Sequence, residues 1–343
     1  MSNRRQAVIR DVAQAAGVSI ATVSHALNGK GRMSDATRER VLEVADRMGY
    51  RPSPSARSLA GGRTGVLALS LSTPPGLPLS ITDFDYFVQL TNGATHAALD
   101  AGYALVTLPS GGGRGNPLAR LAIDGAVIVD PVSADPSLSF LRERGIPFVT
   151  AGREPGGADG LWVDSDHRAA TRECLDHLVQ AGATRVALVT VPPVISYTQD
   201  TLAVYEAWCA RRGQSPLVEV AADNPTEAGG YAAAARLLAR DDAPDGIYAG
   251  LDRLALGVLR AARALGREVP GDLRVVGCTD SGESTTAEPP LTSMNLHPQE
   301  LGRAAVELLV QAVEGRTPAE RHRYVPTNLI VRASSSAGSA ASV

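Results

Sequence analysis

Phe84, Tyr86 and Phe87 crowd one short stretch of the sequence, and carboxylates recur downstream at Asp130, Asp252 and Asp280, with Ser72 and Arg153 at comparable points between apolar runs. An aromatic wall with a few convergent carboxylates and a guanidinium suits a sugar, a nucleoside or a related polyol, because ring faces pack on ring faces while hydroxyls meet charged partners. Turnover has no comparable support. The run Gly111-Gly112-Gly113-Arg114-Gly115 lacks the Lys-Ser/Thr ending of a phosphate cradle and reads as a loop. Asp164-Ser165-Asp166-His167 has no second histidine at metal spacing and reads as the cap of the helix behind it. The 6 histidines are dispersed, and the 3 cysteines, Cys174, Cys209 and Cys278, stand apart without metal spacing. No catalytic residue, metal or cofactor is expected, and the cysteines read as small buried apolar groups in a reducing compartment.

These residues fall at the ends of apolar runs that alternate with amphipathic ones. Expected strands are Val66–Leu71, Tyr103–Leu108, Asp124–Val129, Pro147–Ala151, Arg185–Val191, Val218–Val220, Gly246–Ala249 and Leu273–Gly277. Helices are expected over Asp83–Ala101, Leu138–Arg144, Arg168–Ala181, Asp200–Arg212, Thr226–Arg240 and Leu254–Leu265, with a second strand–helix set opening near Trp162-Val163-Asp164. Such recurrence implies parallel sheets with crossover helices, and two sets imply two doubly wound lobes. Ligands of such sheets sit beyond the carboxyl ends of the strands, which is what selects Ser72, Asp130, Arg153, Leu251-Asp252 and Thr279-Asp280, joined by the aromatics at the opening of the first helix.

The N-terminal stretch has a different grammar. Ile9–Ala16 forms a short amphipathic helix with Val12, Ala13 and Ala16 on one side, broken at Gly17, and Ile20–Leu27 forms another behind Ser19 as N-cap. Two short helices across a Gly-containing three-residue turn make a helix-turn-helix. A third helix follows Ser34, with Val41, Val44, Ala45 and Met48 as its apolar stripe. Behind it, Ser53 suits an N-cap, Pro54 the first helical position and Gly61 the C′ position, a helix too short to persist in water without a partner.

Residues 9–63, with DVAxxAGVSxATVSHxLNG, RxRVLExAxxxGYRP and PSxxARSL, resemble the lactose-repressor (LacI/GalR) family of bacterial transcription regulators. The resemblance implies that the second helix lies in the major groove, with Ile20, Ala21 and His25 toward base edges and Ser19, Thr22, Ser24 and Asn28 toward phosphates. It also implies a hinge helix that follows the minor groove with Ala56 and Arg57 and wedges Leu59 between base steps. Val8 stands where a capping Thr is usual, so the first helix is expected to fray. In the body, YAGLDRLALGVLRAARALGREVPGDLRVVG follows the family's strand–Asn–Asp–helix pattern and implies that Asp252 contacts effector hydroxyls. Leu251 replaces the usual Asn, and Thr201 stands where relatives hold a ligand-binding arginine; Tyr197 and Gln199 are nearby substitutes.

The expected organisation is an all-α head over 1–50, a hinge over 51–63, an α/β body over 64–333 resembling periplasmic binding proteins, and a disordered tail over 334–343. By the resemblance, the first lobe takes 64–160 and 291–323 and the second 161–290 and 324–333, with crossings near 161–163, 290 and 324. The tail has no leucine heptads, so a homodimer is expected. Charge agrees with the division: residues 1–63 hold 11 Arg and Lys against 5 Asp and Glu, a net of +6, and the remainder 22 against 31, a net of -9. A basic head on an acidic body suits a phosphate-binding module joined to a small-molecule sensor. MSNRRQAVIR has no apolar signal core and no run of 18 apolar residues occurs, so a cytoplasmic, nucleoid-associated protein is expected, without membrane contact. The expected function is sequence-specific binding of a pseudo-palindromic operator in double-stranded DNA, as a repressor controlled by a sugar-like effector. The alternative is a solute-binding component of a transporter, which shares the two-lobed body.

Overall fold

The computed structural model describes residues 7–27, 33–50, 63–72, 84–108, 116–157, 160–221 and 225–336. The chain divides into two compact units, and each is a structure in its own right.

The head holds α1 (Ile9–Ala16), α2 (Ile20–Leu27) and α3 (Asp35–Arg47). They enclose a small core of Val12, Ala13, Ala16, Val23, Ala26, Val41, Val44 and Ala45. Met48 is not part of that core; it is 37% exposed just beyond the end of α3. The first turn of α1 lacks a hydroxyl cap at Val8, but the Asp11 carboxylate accepts the Val8 N–H at 3.0 Å and holds the helix start from the other side. Ser19 accepts the Thr22 N–H at 3.1 Å and Ser34 the Thr37 N–H at 3.3 Å, so each of the next two helices starts on a hydroxyl cap.

The body contains two six-stranded sheets. In the first, β1 (Val66–Leu71), β2 (Ala104–Leu108), β3 (Gly125–Val129), β4 (Phe148–Ala151), β5 (Trp162–Ser165) and β11 (His322–Val325) run in the order β11-β5-β4-β3-β1-β2, all parallel. In the second, β6 (Val186–Thr190), β7 (Val218–Val220), β8 (Gly246–Ala249), β9 (Arg274–Cys278), β10 (Thr292–Asn295) and β12 (Asn328–Ile330) run β12-β10-β9-β8-β6-β7, with β12 antiparallel at the edge. The inner strands β1, β3, β4, β6, β8 and β9 are buried on both faces, as parallel sheets clad by crossover helices require. The helices are α4 (Asp85–Asp100), α5 (Pro136–Arg144), α6 (His167–Gln180), α7 (Ser196–Arg211), α8 (Glu227–Leu238), α9 (Asp252–Ala264), the short α10 (Gly282–Thr286) and α11 (Pro298–Val313). In the first lobe α4 and α11 touch backbone to backbone: a Cβ on Gly93 would stand 1.9 Å from the Gln299 carbonyl oxygen, so no larger residue fits there.

The chain changes lobe later than expected at two of three points. Trp162–Ser165 pairs with β4 and closes the first lobe, so the first crossing follows Ser165. Thr292–Asn295 pairs with β9 and stays in the second lobe, so the return follows Asn295. The third crossing lies between Val325 and Asn328. The segment expected as disordered begins inside the fold. Ser334 and Ser335 are 0% and 1% exposed: the Ser334 hydroxyl donates to the Val275 carbonyl at 2.6 Å and accepts the Thr292 N–H at 2.8 Å. Residues 337–343 lie outside the described residues.

Candidate functional site

In the head, α2 turns Val23 and Ala26 inward and leaves Ser19, Ile20, Ala21 and His25 exposed, with Thr22 and Ser24 partly buried among them. Of the expected DNA-facing residues, Ile20, Ala21 and His25 are thus exposed on α2, and Ser19 just ahead of it. Asn28, Ala56, Arg57 and Leu59, and with them the hinge, lie outside the described residues.

In the body, the carboxyl ends of β3, β4 and β5 meet the first turns of α6 and α7. That turn of α7 starts at Ser196, four residues before the expected Asp200, because the polar run Ser196-Tyr197-Thr198-Gln199 is helical behind an extended Ile195. Arg153 spans the junction. Its Nε donates to Asp164 Oδ2 at 3.0 Å and its Nη2 donates to Asp200 Oδ2, while its backbone N–H donates to Ser196 Oγ at 3.1 Å. Arg168 Nε donates to the other oxygen of Asp200 at 2.8 Å. The side chains of Asp164 and Asp200 are 3% and 7% exposed, so these guanidiniums supply the charge partners that burial demands. His167 Nε2 lies 3.3 Å from Asp164 Oδ1, and its ring lies 5.4 Å from that of Tyr197.

Asp130 directly follows β3 with φ of 49°, a left-handed backbone uncommon outside glycine. Its Oδ1 lies 2.9 Å from where a Cβ on Gly152 would be, and Gly152 itself has a φ of 94°, a conformation that favours glycine. Burial, then the neighbouring Asp164 charge, push the Asp130 carboxyl up to about 7, against the opposing pull of His167. For His167 burial works to lower the pKa, but the hydrogen bond to Asp164 and the charges of Asp164, Asp130 and Asp200 outweigh it and raise it. Burial and the Asp130 charge raise the Tyr86 and Tyr197 hydroxyls, so both stay neutral donors.

Beside this cluster is a cavity of about 490 Å³ between the lobes. Phe84 and Tyr86 of the first lobe line it, opposite Arg253, Thr279, Ser281 and Glu283 of the second. The Arg253 guanidinium covers the Phe84 ring at 4.9 Å, and the Gly282 N–H reaches Asp85 Oδ2 at 3.4 Å.

Several of the expected ligand contacts are engaged within the fold. Asp252 lines the cavity and does not cap α9, whose N-cap is Leu251; its carboxylate is engaged by donors of its own lobe. Its Oδ2 accepts from Thr279 Oγ1 at 3.1 Å, the Ser281 N–H at 2.7 Å and Ser284 Oγ at 2.7 Å, and its Oδ1 accepts from Ser293 Oγ at 2.6 Å. Asp280 is paired with Arg332 at 2.7 Å and accepts from Asn295 at 3.0 Å. The Ser72 hydroxyl donates to Asp135, whose other oxygen caps α5 through the Ser137 N–H at 2.7 Å. Phe87 packs at the edge of the first lobe's core, and Thr201 is buried, accepting from Thr171 at 3.3 Å between α6 and α7. Asp130, Arg153 and Tyr197 do come together, and Phe84 does line the cavity. Asp164, His167, Ser196, Asp200 and Arg253 were missed. Only Asp166 of the 164–167 run caps α6, through the Ala169 N–H at 2.9 Å; Asp164 and His167 join the cluster.

Residues 8–53 match the bacterial regulatory proteins of the lacI family, and residues 175–335 match the periplasmic binding protein-like domain. The HTH-type transcriptional regulator CelR of Thermobifida fusca is 32% identical over 342 residues, spanning 97% of this chain and 100% of that one. The HTH-type transcriptional regulator MalR of Streptomyces coelicolor is 32% identical over 349 residues, spanning 95% and 96%. Among solved structures, the CelR–cellobiose complex aligns with a TM-score of 0.72 at 29% identity over 96% of this chain and 99% of that one. The lac repressor dimer bound to operator and the anti-inducer ONPF aligns with a TM-score of 0.81 at 24% identity over 97% and 100%, a likeness of fold. These relatives span head and body together, which sets aside a transporter's solute-binding component. With its helix-turn-helix head and two-lobed body, the chain belongs to the lacI family of bacterial transcriptional regulators.

Proposed function

We propose that the protein is a repressor whose hold on a pseudo-palindromic operator is set by a sugar-class metabolite bound between its lobes. The observation that carries the ligand half is the inter-lobe cavity of about 490 Å³ with Phe84 and Tyr86 on one wall and hydroxyls and charges on the other. A ring stacks on such a wall while its hydroxyls meet Thr279, Ser281, Arg253 and Glu283, and the deeper cluster adds Tyr197 and Asp130. The relative solved with cellobiose supports a saccharide of similar size. Ser19, Ile20, Ala21, Thr22, Ser24 and His25 carry the operator contacts of the head, with Asn28 and the hinge residues Ala56, Arg57 and Leu59 completing them. The active species is a homodimer, acting without catalysis on the nucleoid in the cytoplasm; among the described residues no helix is long and apolar enough to cross a membrane.

Coupling works through the lobe junction. A ligand that favours one lobe arrangement over the other shifts operator affinity by its differential binding, typically ~5–150-fold. The test is fluorescence anisotropy of the full-length protein on an operator duplex recovered from genomic DNA, with cellobiose, maltose, ribose and glucose added in turn. At least one sugar is expected to change affinity by about fivefold or more. A panel of saccharides that leaves operator affinity unmoved would remove the ligand half of the proposal.

A further inference from the structure

We infer that α2 identifies its half-site through a thymine methyl group read by Ile20 and a purine N7 read by His25, without any bidentate hydrogen bond to a base. The inference rests on the family's DNA binding and adds the base chemistry to it. The helix is Ile20-Ala21-Thr22-Val23-Ser24-His25-Ala26-Leu27 and holds no Arg, Lys, Asn, Gln, Asp or Glu. The fork that matches guanine O6 and N7 and the amide that matches adenine N6 and N7 are therefore both missing from it.

What remains on the outward side is narrow. Val23 and Ala26 are buried in the head's core. The Ser19 hydroxyl is engaged by the Thr22 N–H at 3.1 Å and by the Thr22 hydroxyl at 2.8 Å, so the two hydroxyls at the helix start are held at the cap, where they suit phosphate contacts rather than base edges. Ile20 is 46% exposed at the first position of the helix, the end that a recognition helix turns toward base edges. Ile20 offers a base edge apolar contact alone, and the apolar feature of a major-groove edge is the thymine C5 methyl. Ala21 and His25 follow on adjacent turns of one face, the small Ala21 keeping the backbone close to the groove floor. The imidazole of His25 donates one N–H to a purine N7. An exposed β-branched side chain is unfavourable in water, and the methyl contact gives it a surface to bury against.

The test uses the full-length protein and an operator duplex selected from a random-sequence pool, with each thymine replaced in turn by 2′-deoxyuridine, which removes the methyl and keeps the pairing. Affinity is expected to fall about fourfold at one thymine per half-site, and about fifteenfold when both symmetry-related methyls are removed. In the Ile20→Ala protein the effect at that position is expected to shrink to within about 1.5-fold, while sensitivity elsewhere persists, which separates contact from DNA shape. Replacing each purine by its 7-deaza form is expected to weaken the wild type about tenfold at one position and the His25→Ala protein not at all there. A duplex that binds tightly yet tolerates uracil everywhere, or a uracil effect unchanged in Ile20→Ala, overturns the inference alone. Failure to select any duplex removes the DNA-binding basis and the inference with it.

Discussion

The guanidinium of Arg153, at the carboxyl end of β4, is ion-paired with the carboxylate of Asp200 on α7, so one side chain of the first lobe neutralises a buried charge of the second. The same guanidinium satisfies Asp164 in its own lobe at 3.0 Å. The lobes are thus joined at a polar node as well as by three chain crossings, and Tyr86, which lines the cavity, feels the charge of the node's Asp164.

Removing Arg153 leaves Asp164 without its guanidinium and Asp200 with Arg168 alone. Arg153→Ala is expected to lower the unfolding free energy by about 2–4 kcal/mol, less than for a fully buried pair because Arg153 retains solvent contact. Arg153→Lys keeps the charge but not the fork, and falls between. Urea denaturation measures both, and a variant as stable as the wild type would show that the node carries no net stability.

The acidic cluster makes stability depend on pH with a defined sign. The Asp130 carboxyl has a folded pKa of about 7 against an ordinary 3.8, so between those values the folded state holds a proton that the unfolded state releases, and stability falls as pH rises through the window. His167 acts in the same direction: its pKa is raised above 6.5, so its contribution is complete below that value and is lost as pH rises through the folded value. Asp130→Asn removes the first effect. Its unfolding free energy is expected to exceed the wild type's by on the order of 2 kcal/mol at pH 8, with the gap closing toward pH 4. Parallel stability curves for the two proteins would contradict this.

Asp252 holds the start of α9, the turn after β9 and strand β10 together through four accepted hydrogen bonds. Asp252→Ala strands those donors in the interior and is expected to cost about 3–4 kcal/mol. Gly277→Ala attacks the same network from the other side, since its Cβ would stand 2.4 Å from Asp252 Oδ1. Thermal melts check both, and an Asp252→Ala protein that melts like the wild type would show that the network carries no net stability.

Near the C-terminus, Ser334→Ala is expected to cost about 1–2 kcal/mol by leaving the Val275 carbonyl and the Thr292 N–H unpaired. Calorimetric melting checks this, and no loss would mean that the segment is dispensable.

What was legible in the sequence follows from how local each determinant is. The first two helices of the head and the start of the third were bounded correctly because Ser19, Gly17 and Ser34 act within one turn of themselves. Strands β1 to β9 were located because their apolar runs are short and cleanly bounded, whereas β10, β11 and β12 were not expected as strands. Sheet membership was not, since nothing inside Trp162–Ser165 or Thr292–Asn295 says which sheet it joins; partners across the fold decide that. The cluster was half visible for the same reason. Arg153 was found as a strand-end residue, but Asp200 sits 47 positions away, and the four-residue misplacement of the α7 start hid its position in the first helical turns. Ser334 was misjudged because small polar residues resemble a disordered tail in composition, whereas here their hydroxyls fit a tight, hydrogen-bonded slot.

The central claim is that one exposed side of α2 reads DNA by sequence. Its most direct test is a titration of the full-length protein into a selected operator duplex and into a scrambled duplex of the same composition, at one salt concentration. The operator is expected to bind at least about a thousandfold more tightly. Equal affinities for the two duplexes would contradict the account.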